Sequence, residues 1–293
     1  MTSAETPPPL PHNPQEPSSE PTGMNAPTAA AGGAPAEPEV PEDLRIPWGW
    51  ADLFFLLVFI LVGGLAMGLV VQVAAMVWLR LSPGQISQPE NIRATVLIIS
   101  QALLSGGIML FLYTVVRLRS GGPFWRTLGW RALPSRPAPP GMVTFSFLAG
   151  GAFFALSIQA ASALIGKKTK LPIEELFRDR QSILLLMTLG ILVAPLVEES
   201  IFRGYIYPVV ARKFGVKASV LATGTLFGLF HAAQLWGGWG QIALLVVVGV
   251  VLTYVRARTG TVLASYLFHL GYNSILFLLF YVGTRGLRNL PSS

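Results

Sequence analysis

The chain has 293 residues, of which 52% are hydrophobic and only 12% are charged, and its mean hydropathy is +0.58. Soluble domains carry about 25% charged residues, so this composition predicts a membrane protein. The chain has no cysteine, which excludes disulfides, thiolate metal sites and a cysteine nucleophile. Its net charge is +7, but the basic residues lie in short segments between apolar runs, which favours lipid headgroups over nucleic acid as their partners.

Residues 1–45 are predicted to form a disordered, acidic, proline-rich tail. The residues up to Asp43 hold 11 of the 23 prolines and 7 of the 14 acidic residues, with no lysine or arginine. A segment of this composition does not bury a hydrophobic core. It also has no basic start followed by an apolar run, so it is not expected to be a signal peptide.

Seven apolar runs follow the tail, and they predict an all-α polytopic membrane protein with about seven transmembrane helices. Only helices and closed barrels satisfy their backbone groups in lipid, and these runs are too long for barrel strands. We divide the chain into N-terminal membrane helices, residues 46–182, and a C-terminal core, residues 183–285. The predicted spans are residues 53–79, 94–116, 142–165, 183–197, 218–234, 241–255 and 262–282.

Three further features predict an interfacial helix, a close helix contact and the orientation of the chain in the membrane. The aromatic and basic residues 123–133 predict a short helix in the membrane interface. Gly64 and Gly68 form a small-xxx-small pattern, which predicts close helix packing. With the N-terminus inside, 12 of the 21 basic residues fall on the inner side. This bias favours a multi-pass protein of the plasma membrane with a cytoplasmic N-terminus.

Two adjacent carboxylates stand at the end of the fourth predicted span. Glu199 and Arg203 have the i,i+4 spacing and the order that favour a helical ion pair. Glu198 is rotated by about 100° from Glu199, so it points elsewhere. The sequence therefore predicts a bracing role for Glu199 and leaves Glu198 free for chemistry, although a snorkelling cluster at a helix end would explain the pair as well.

The two histidines outside the tail both lie inside apolar runs. His231 follows Phe227 at i+4 late in the fifth span, and Asn273 follows His269 at i+4 in the seventh. Ionisable residues inside a membrane are rare and usually functional. Together with the glutamate pair they predict a site assembled from three spans.

Hydrolysis is the chemistry that these groups best support. A carboxylate can take a proton from water and a histidine can assist it, while an asparagine and a histidine can stabilise an oxyanion. No serine has a convincing base, so direct attack by water is favoured over a covalent intermediate. Glu198, His231 and His269 are also the right types to bind zinc, and the sequence leaves the metal and metal-free routes open.

At these residues the sequence resembles the CPBP family, the CAAX prenyl endoproteases and bacteriocin-processing intramembrane proteases. The resemblance covers about residues 183–281 and makes the C-terminal core the catalytic part of the chain. It lies in three ordered motifs, namely Glu198-Glu199 with Arg203, Phe227 with His231, and His269 with Asn273.

The resemblance implies an intramembrane endopeptidase whose site lies inside a helical bundle. In such proteins the residues matching Glu198 and His231 activate water, and those matching His269 and Asn273 stabilise the oxyanion. Glu199 and Arg203 would then hold the site together. The implied partners are the lipid bilayer and a peptide or protein substrate, lipidated or not, without nucleic acid. The cofactor, zinc or none, and the oligomeric state stay open.

Two other function classes fit the same polar residues. One is a non-catalytic membrane scaffold or bacteriocin self-immunity factor, in which the cluster only stabilises the bundle. The other is a proton-coupled transporter, which is less favoured because the sequence shows no repeated halves with broken helices.

Overall fold

The computed structural model of the protein describes residues 41–80, 90–133, 138–165 and 180–290. This described part consists of helices and turns without a β-strand, which confirms the predicted all-α fold. In chain order its helices are α1 Trp50–Leu79, α2 Glu90–Ser120, α3 Phe124–Thr127, α4 Pro140–Ile165, α5 Arg180–Thr188, α6 Ala194–Glu199, α7 Tyr207–Phe230, α8 Trp239–Thr259 and α9 Val262–Gly283.

Two π-helical turns interrupt the helical stretch that contains the glutamate pair. Leu189–Val193 joins α5 to α6, and Ser200–Ile206 joins α6 to α7. Each turn is followed, after one further residue, by a proline, Pro195 or Pro208. Proline lacks the backbone N–H that would continue the ladder, and π turns of this kind often accompany functional sites.

Six helical stretches of the described residues are long and apolar enough to cross a membrane. The largest, Arg180–Phe230, spans 51 residues and contains both the fourth predicted span and most of the fifth. Within it Gly215 has φ 81° and ψ 164°, a conformation that only glycine adopts readily. The break at Gly215 separates two helical segments, so the predicted count of about seven agrees with the structure.

Glycines set the closest helix contacts in the core. α7 packs against α8, and a Cβ on Gly249 would collide with the carbonyl of Gly224. α4 packs against α9, where a Cβ on Gly151 would collide with the carbonyl of Phe268. Close packing in membranes depends on such small residues because backbones can then approach each other.

The close packing predicted from Gly64 and Gly68 is not observed. A Cβ on Gly64 would only touch the Leu104 side chain at 3.4 Å, and one on Gly68 would meet nothing within 4 Å among the described residues. α1 packs on α2 through larger side chains, such as the stacked rings of Phe59 and Phe111. Both glycines do face α2, but they line a gap between the two helices instead of a close contact.

The predicted interfacial segment, residues 123–133, forms a single helical turn, α3, followed by an inserted loop. Leu128 is 1% exposed and lies where a Cβ on Gly204 would stand. The carbonyl of Gly129 accepts a hydrogen bond from the N–H of Val262, the first residue of α9. The segment therefore packs into the bundle beside the second π turn.

Residues 1–40 of the predicted tail lie outside the described residues, but its last residues are described and are packed on the bundle. Glu42–Leu44 form a 3-10 turn with Leu44 buried, and Asp43 lies 2.9 Å from the guanidinium of Arg256. Trp48 is also buried and donates its indole N–H to the carbonyl of Tyr205 at 3.0 Å. We call residues 41–49 the N-terminal strap.

Candidate active site

Helix α6 and its two flanking π turns position the glutamate pair inside the bundle. The adjacent carboxylates diverge as the helical rotation predicts: the side chain of Glu199 is fully buried, while that of Glu198 is 19% exposed. A fully buried carboxylate needs a partner to offset its desolvation. Glu199 is therefore the carboxylate that depends on partners inside the bundle, and Glu198 is the one that solvent can reach.

Arg203 is the partner of Glu199. Its guanidinium donates one hydrogen bond to Glu199 Oε1 at 3.0 Å and another to the carbonyl of Gly249 at 2.9 Å, with the whole side chain buried. The guanidinium carbon also lies 4.5 Å from the centre of the Phe227 ring. One arginine thus ties α6 to α7 and α8 through an ion pair, a carbonyl contact and a cation–π contact.

His231 follows the last residue of α7 and faces Glu198. Its Nδ1 lies 2.9 Å from the carbonyl oxygen of Phe227, and its Nε2 lies 3.7 Å from Glu198 Oε1. The Phe227 ring packs against the imidazole with ring centres 4.9 Å apart. The carbonyl contact fixes the ring so that Nε2 points at the carboxylate.

His269 of α9 contacts both glutamates. Its Nδ1 lies 3.0 Å from Glu199 Oε1, and its Nε2 lies 3.8 Å from Glu198 Oε2. The imidazole is 4% exposed and its ring centre lies 5.9 Å from that of Phe227. The structure thus brings Glu198 of α6, His231 at the end of α7 and His269 of α9 together.

The hydrogen-bond partners determine which histidine nitrogens carry hydrogen. In both rings Nδ1 faces an oxygen that can only accept, the Phe227 carbonyl for His231 and the Glu199 carboxylate for His269. Each Nδ1 therefore carries a hydrogen, and the Nε2 atom of each ring faces Glu198. Spacings of 3.7 and 3.8 Å exceed a direct hydrogen bond and suit a bridging water molecule.

Asn273 lies one turn beyond His269 on α9, but its observed partner is not Glu198. Its side-chain Nδ2 donates to the carbonyl of Gly190, in the first π turn, at 2.7 Å. This contact fixes the orientation of the amide and leaves its second N–H for another acceptor. Its role toward an oxyanion stays a prediction.

Sequence reasoning missed the backbone groups that support the site. The carbonyls of Gly249 and Gly190 hold Arg203 and Asn273, and every residue has a carbonyl, so no residue type signals them. It also missed Trp130, whose indole N–H donates to Ser200 Oγ at 3.2 Å, one residue after Glu199. The aromatic character of residues 123–133 was visible, but it indicated a membrane interface.

Within the described residues, no group of three or more histidine, aspartate or glutamate side chains has the arrangement of a metal site. The predicted zinc ligands Glu198, His231 and His269 do converge. The Nε2 atoms of the two histidines lie 3.7 and 3.8 Å from the Glu198 carboxylate oxygens.

Fold and site together define a polytopic membrane protein with a glutamate–histidine centre buried between its helices. Residues 180–275 match a family model described as type II CAAX prenyl endopeptidase, Rce1-like. The match contains every predicted site residue and confirms the resemblance to the CPBP family for this part of the chain, which is similar to an Rce1-like domain. Searches of curated proteins and of solved structures gave no match.

Proposed function

We propose that this protein is an intramembrane endopeptidase in which Glu198 activates a water molecule for attack on a peptide bond. The observation that most supports this proposal is the convergence of both Glu198 oxygens with the Nε2 atoms of His231 and His269. A space between a partly exposed carboxylate and two histidine nitrogens suits a water molecule that must lose a proton to the carboxylate.

The proposed reaction begins with a water molecule between Glu198 and His231. Glu198 takes a proton from the water as the water oxygen bonds to the carbonyl carbon of the scissile peptide. The carbonyl oxygen then becomes an oxyanion, to which Asn273 and His269 donate hydrogen bonds. When the C–N bond breaks, the proton taken from the water passes to the leaving amine.

The charges of the site support a donor role for His269. Glu198 and Glu199 carry two negative charges and Arg203 one positive charge, so one further proton makes the buried cluster neutral. We place that proton on Nε2 of His269, whose other nitrogen already contacts Glu199. The imidazolium then has an N–H for the oxyanion, and Glu199 stabilises its charge.

The proposed substrates are membrane-associated proteins or peptides. The family match adds prenylated CAAX tails as the first class to test. A purified sample in nanodiscs would be incubated with a peptide library and a prenylated CAAX peptide, with and without a metal chelator. Mass spectrometry of the products would report the cleaved bond and the need for metal.

The matched variants are Glu198→Gln, His231→Ala and the surface control Glu42→Gln. General base catalysis contributes about 100-fold or more, so both site variants are expected to lose cleavage by at least that factor. The control should cleave like the wild type, because Glu42 is 68% exposed. Cleavage retained in both site variants would refute the mechanism, and folded variants with intact biological effect would favour the scaffold hypothesis.

We also propose a plasma-membrane location with the N-terminus in the cytoplasm. Contacts of the strap gather arginines at one end of the bundle: Arg256 pairs with Asp43, and Arg212 donates to the Ile46 carbonyl at 2.8 Å. Positive residues favour the cytoplasmic side. Because the chain has no cysteine, single cysteines at the exposed Ser120 and Gln234 can be labelled with an impermeant maleimide, and outside labelling of Ser120→Cys would contradict the orientation.

A further inference from the structure

The first π turn contains a carbonyl that proline leaves without a helical donor. In this turn the N–H of Ala194 donates to the carbonyl of Leu189, five residues earlier. The same register pairs residue 195 with the carbonyl of Gly190. Residue 195 is proline and has no N–H, so the Gly190 oxygen lacks its ladder partner.

Asn273, on α9, supplies the donor that the Gly190 oxygen lacks. Its Nδ2 donates to the Gly190 oxygen at 2.7 Å, across 83 residues of sequence. Backbone carbonyls inside a helical bundle are nearly always hydrogen-bonded, so the half-buried Gly190 oxygen is a strong acceptor for a nearby amide. The Asn273 amide group has two N–H bonds and uses one of them in this hydrogen bond.

Gly190 also permits the approach of α9. A Cβ at this position would lie 2.9 Å from the ring of Phe277, which follows Asn273 by one turn. Gly190 therefore lets α9 come close to the first π turn, and Pro195 leaves the Gly190 oxygen free to accept a hydrogen bond from α9. The two residues have complementary effects on the same contact.

We infer that Pro195 is a positioning residue for Asn273. By leaving the Gly190 carbonyl free, it fixes the amide so that the second N–H keeps one direction. An oxyanion donor works only when it is held in place before the charge develops. The effect on catalysis rests on the proposed function, whereas the hydrogen bond itself does not.

The test replaces Pro195 by alanine, which restores an N–H that competes with Asn273 for the Gly190 oxygen. Pro208 supplies the matched control, because it stands after the second π turn in the same register, where the N–H of Tyr207 donates to the Phe202 carbonyl. Alanine is a good helix former, so both variants are expected to fold. Both are measured in wild-type and Asn273→Ala backgrounds.

Pro195→Ala should lower kcat about fivefold or more, the value of one lost hydrogen bond, with KM unchanged. Pro208→Ala should stay within about twofold of the wild type. In the Asn273→Ala background Pro195→Ala should have no further effect on kcat, because its target is gone. Equal losses in both backgrounds would overturn the inference, since a general helix effect acts regardless of Asn273.

A second readout does not depend on activity. The chain has five asparagines, so 15N-asparagine labelling gives few side-chain signals, and Asn273→Asp identifies the one from Asn273. The wild-type signal should show slow hydrogen exchange that Pro195→Ala accelerates and Pro208→Ala does not. Fast exchange in the wild type would refute the inference even if Pro195→Ala failed to fold. A wild type without peptidase activity would refute the proposed function but not this contact.

Discussion

At the scale of single residues, two arginine–carboxylate pairs of nearly equal length have very different surroundings. Arg203 and Glu199 are 3.0 Å apart with both side chains fully buried. Arg119 and Asp52 are 2.9 Å apart, but the arginine is 53% exposed. Burial rather than distance decides how much stability is lost when one partner is removed. A buried charge that loses its partner cannot be hydrated by water instead.

We predict that Arg203→Met lowers the free energy of unfolding by about 3–5 kcal/mol, since it leaves Glu199 as a buried, uncompensated charge. Arg119→Met should cost no more than about 1 kcal/mol. It also leaves Asp52 with the backbone N–H of Gly49, which donates to it at 2.9 Å. Denaturant unfolding in detergent measures both variants. Similar losses for the two would show that Arg203 does not brace the site.

At the scale of helices, the crossing of α7 and α8 has a direct connection to the site. The Gly249 carbonyl accepts hydrogen bonds from Arg203 and from Thr253 Oγ at 2.7 Å. A side chain on Gly249 would collide with the Gly224 carbonyl and force the helices apart. The spacing of these helices thus determines where the acceptor for Arg203 lies.

Gly249→Ala is expected to destabilise the protein by about 1–3 kcal/mol, the usual cost of overpacking, and to reduce cleavage as well. Gly68→Ala is the control, because a Cβ there meets nothing within 4 Å among the described residues. Its higher helix propensity should make it neutral or stabilising by up to about 1 kcal/mol. Thermal unfolding and peptide cleavage test the pair, and a neutral Gly249→Ala would contradict the proposed role of this crossing.

At the scale of the whole molecule, the N-terminal strap, which begins the described chain, is bound to α8. Asp43 binds Arg256, 213 residues away, through its carboxylate at 2.9 Å and its carbonyl at 3.2 Å. Arg256 is 1% exposed, so it relies on this partner. Glu42 is the adjacent acid but is 68% exposed and lies 3.4 Å from Arg131.

Asp43→Ala should therefore cost about 3–5 kcal/mol, because it leaves the Arg256 charge buried and unpaired. The matched change Glu42→Ala should cost less than about 1 kcal/mol. Limited proteolysis should also cut the strap sooner in Asp43→Ala than in the wild type. Equal stability of the two variants would mean that the strap does not depend on the ion pair.

The sequence alone determined the all-α class, the approximate spans and the residue types of the site. Glutamates and histidines inside apolar runs are informative because lipid makes such groups costly, and the i,i+4 spacing already predicted the ion pair of Glu199 with Arg203. Both patterns depend only on residues that are close in the sequence. They can therefore be recognised without knowledge of the fold.

Only the tertiary structure decided how the groups meet. It put the Nε2 atoms of both histidines beside Glu198, supplied the backbone carbonyls for Arg203 and Asn273, and packed the strap on Arg256. It also moved the close glycine contacts from α1 to the crossing of α7 and α8. These features depend on which helix faces meet, and backbone carbonyls and glycines look the same in sequence wherever they lie.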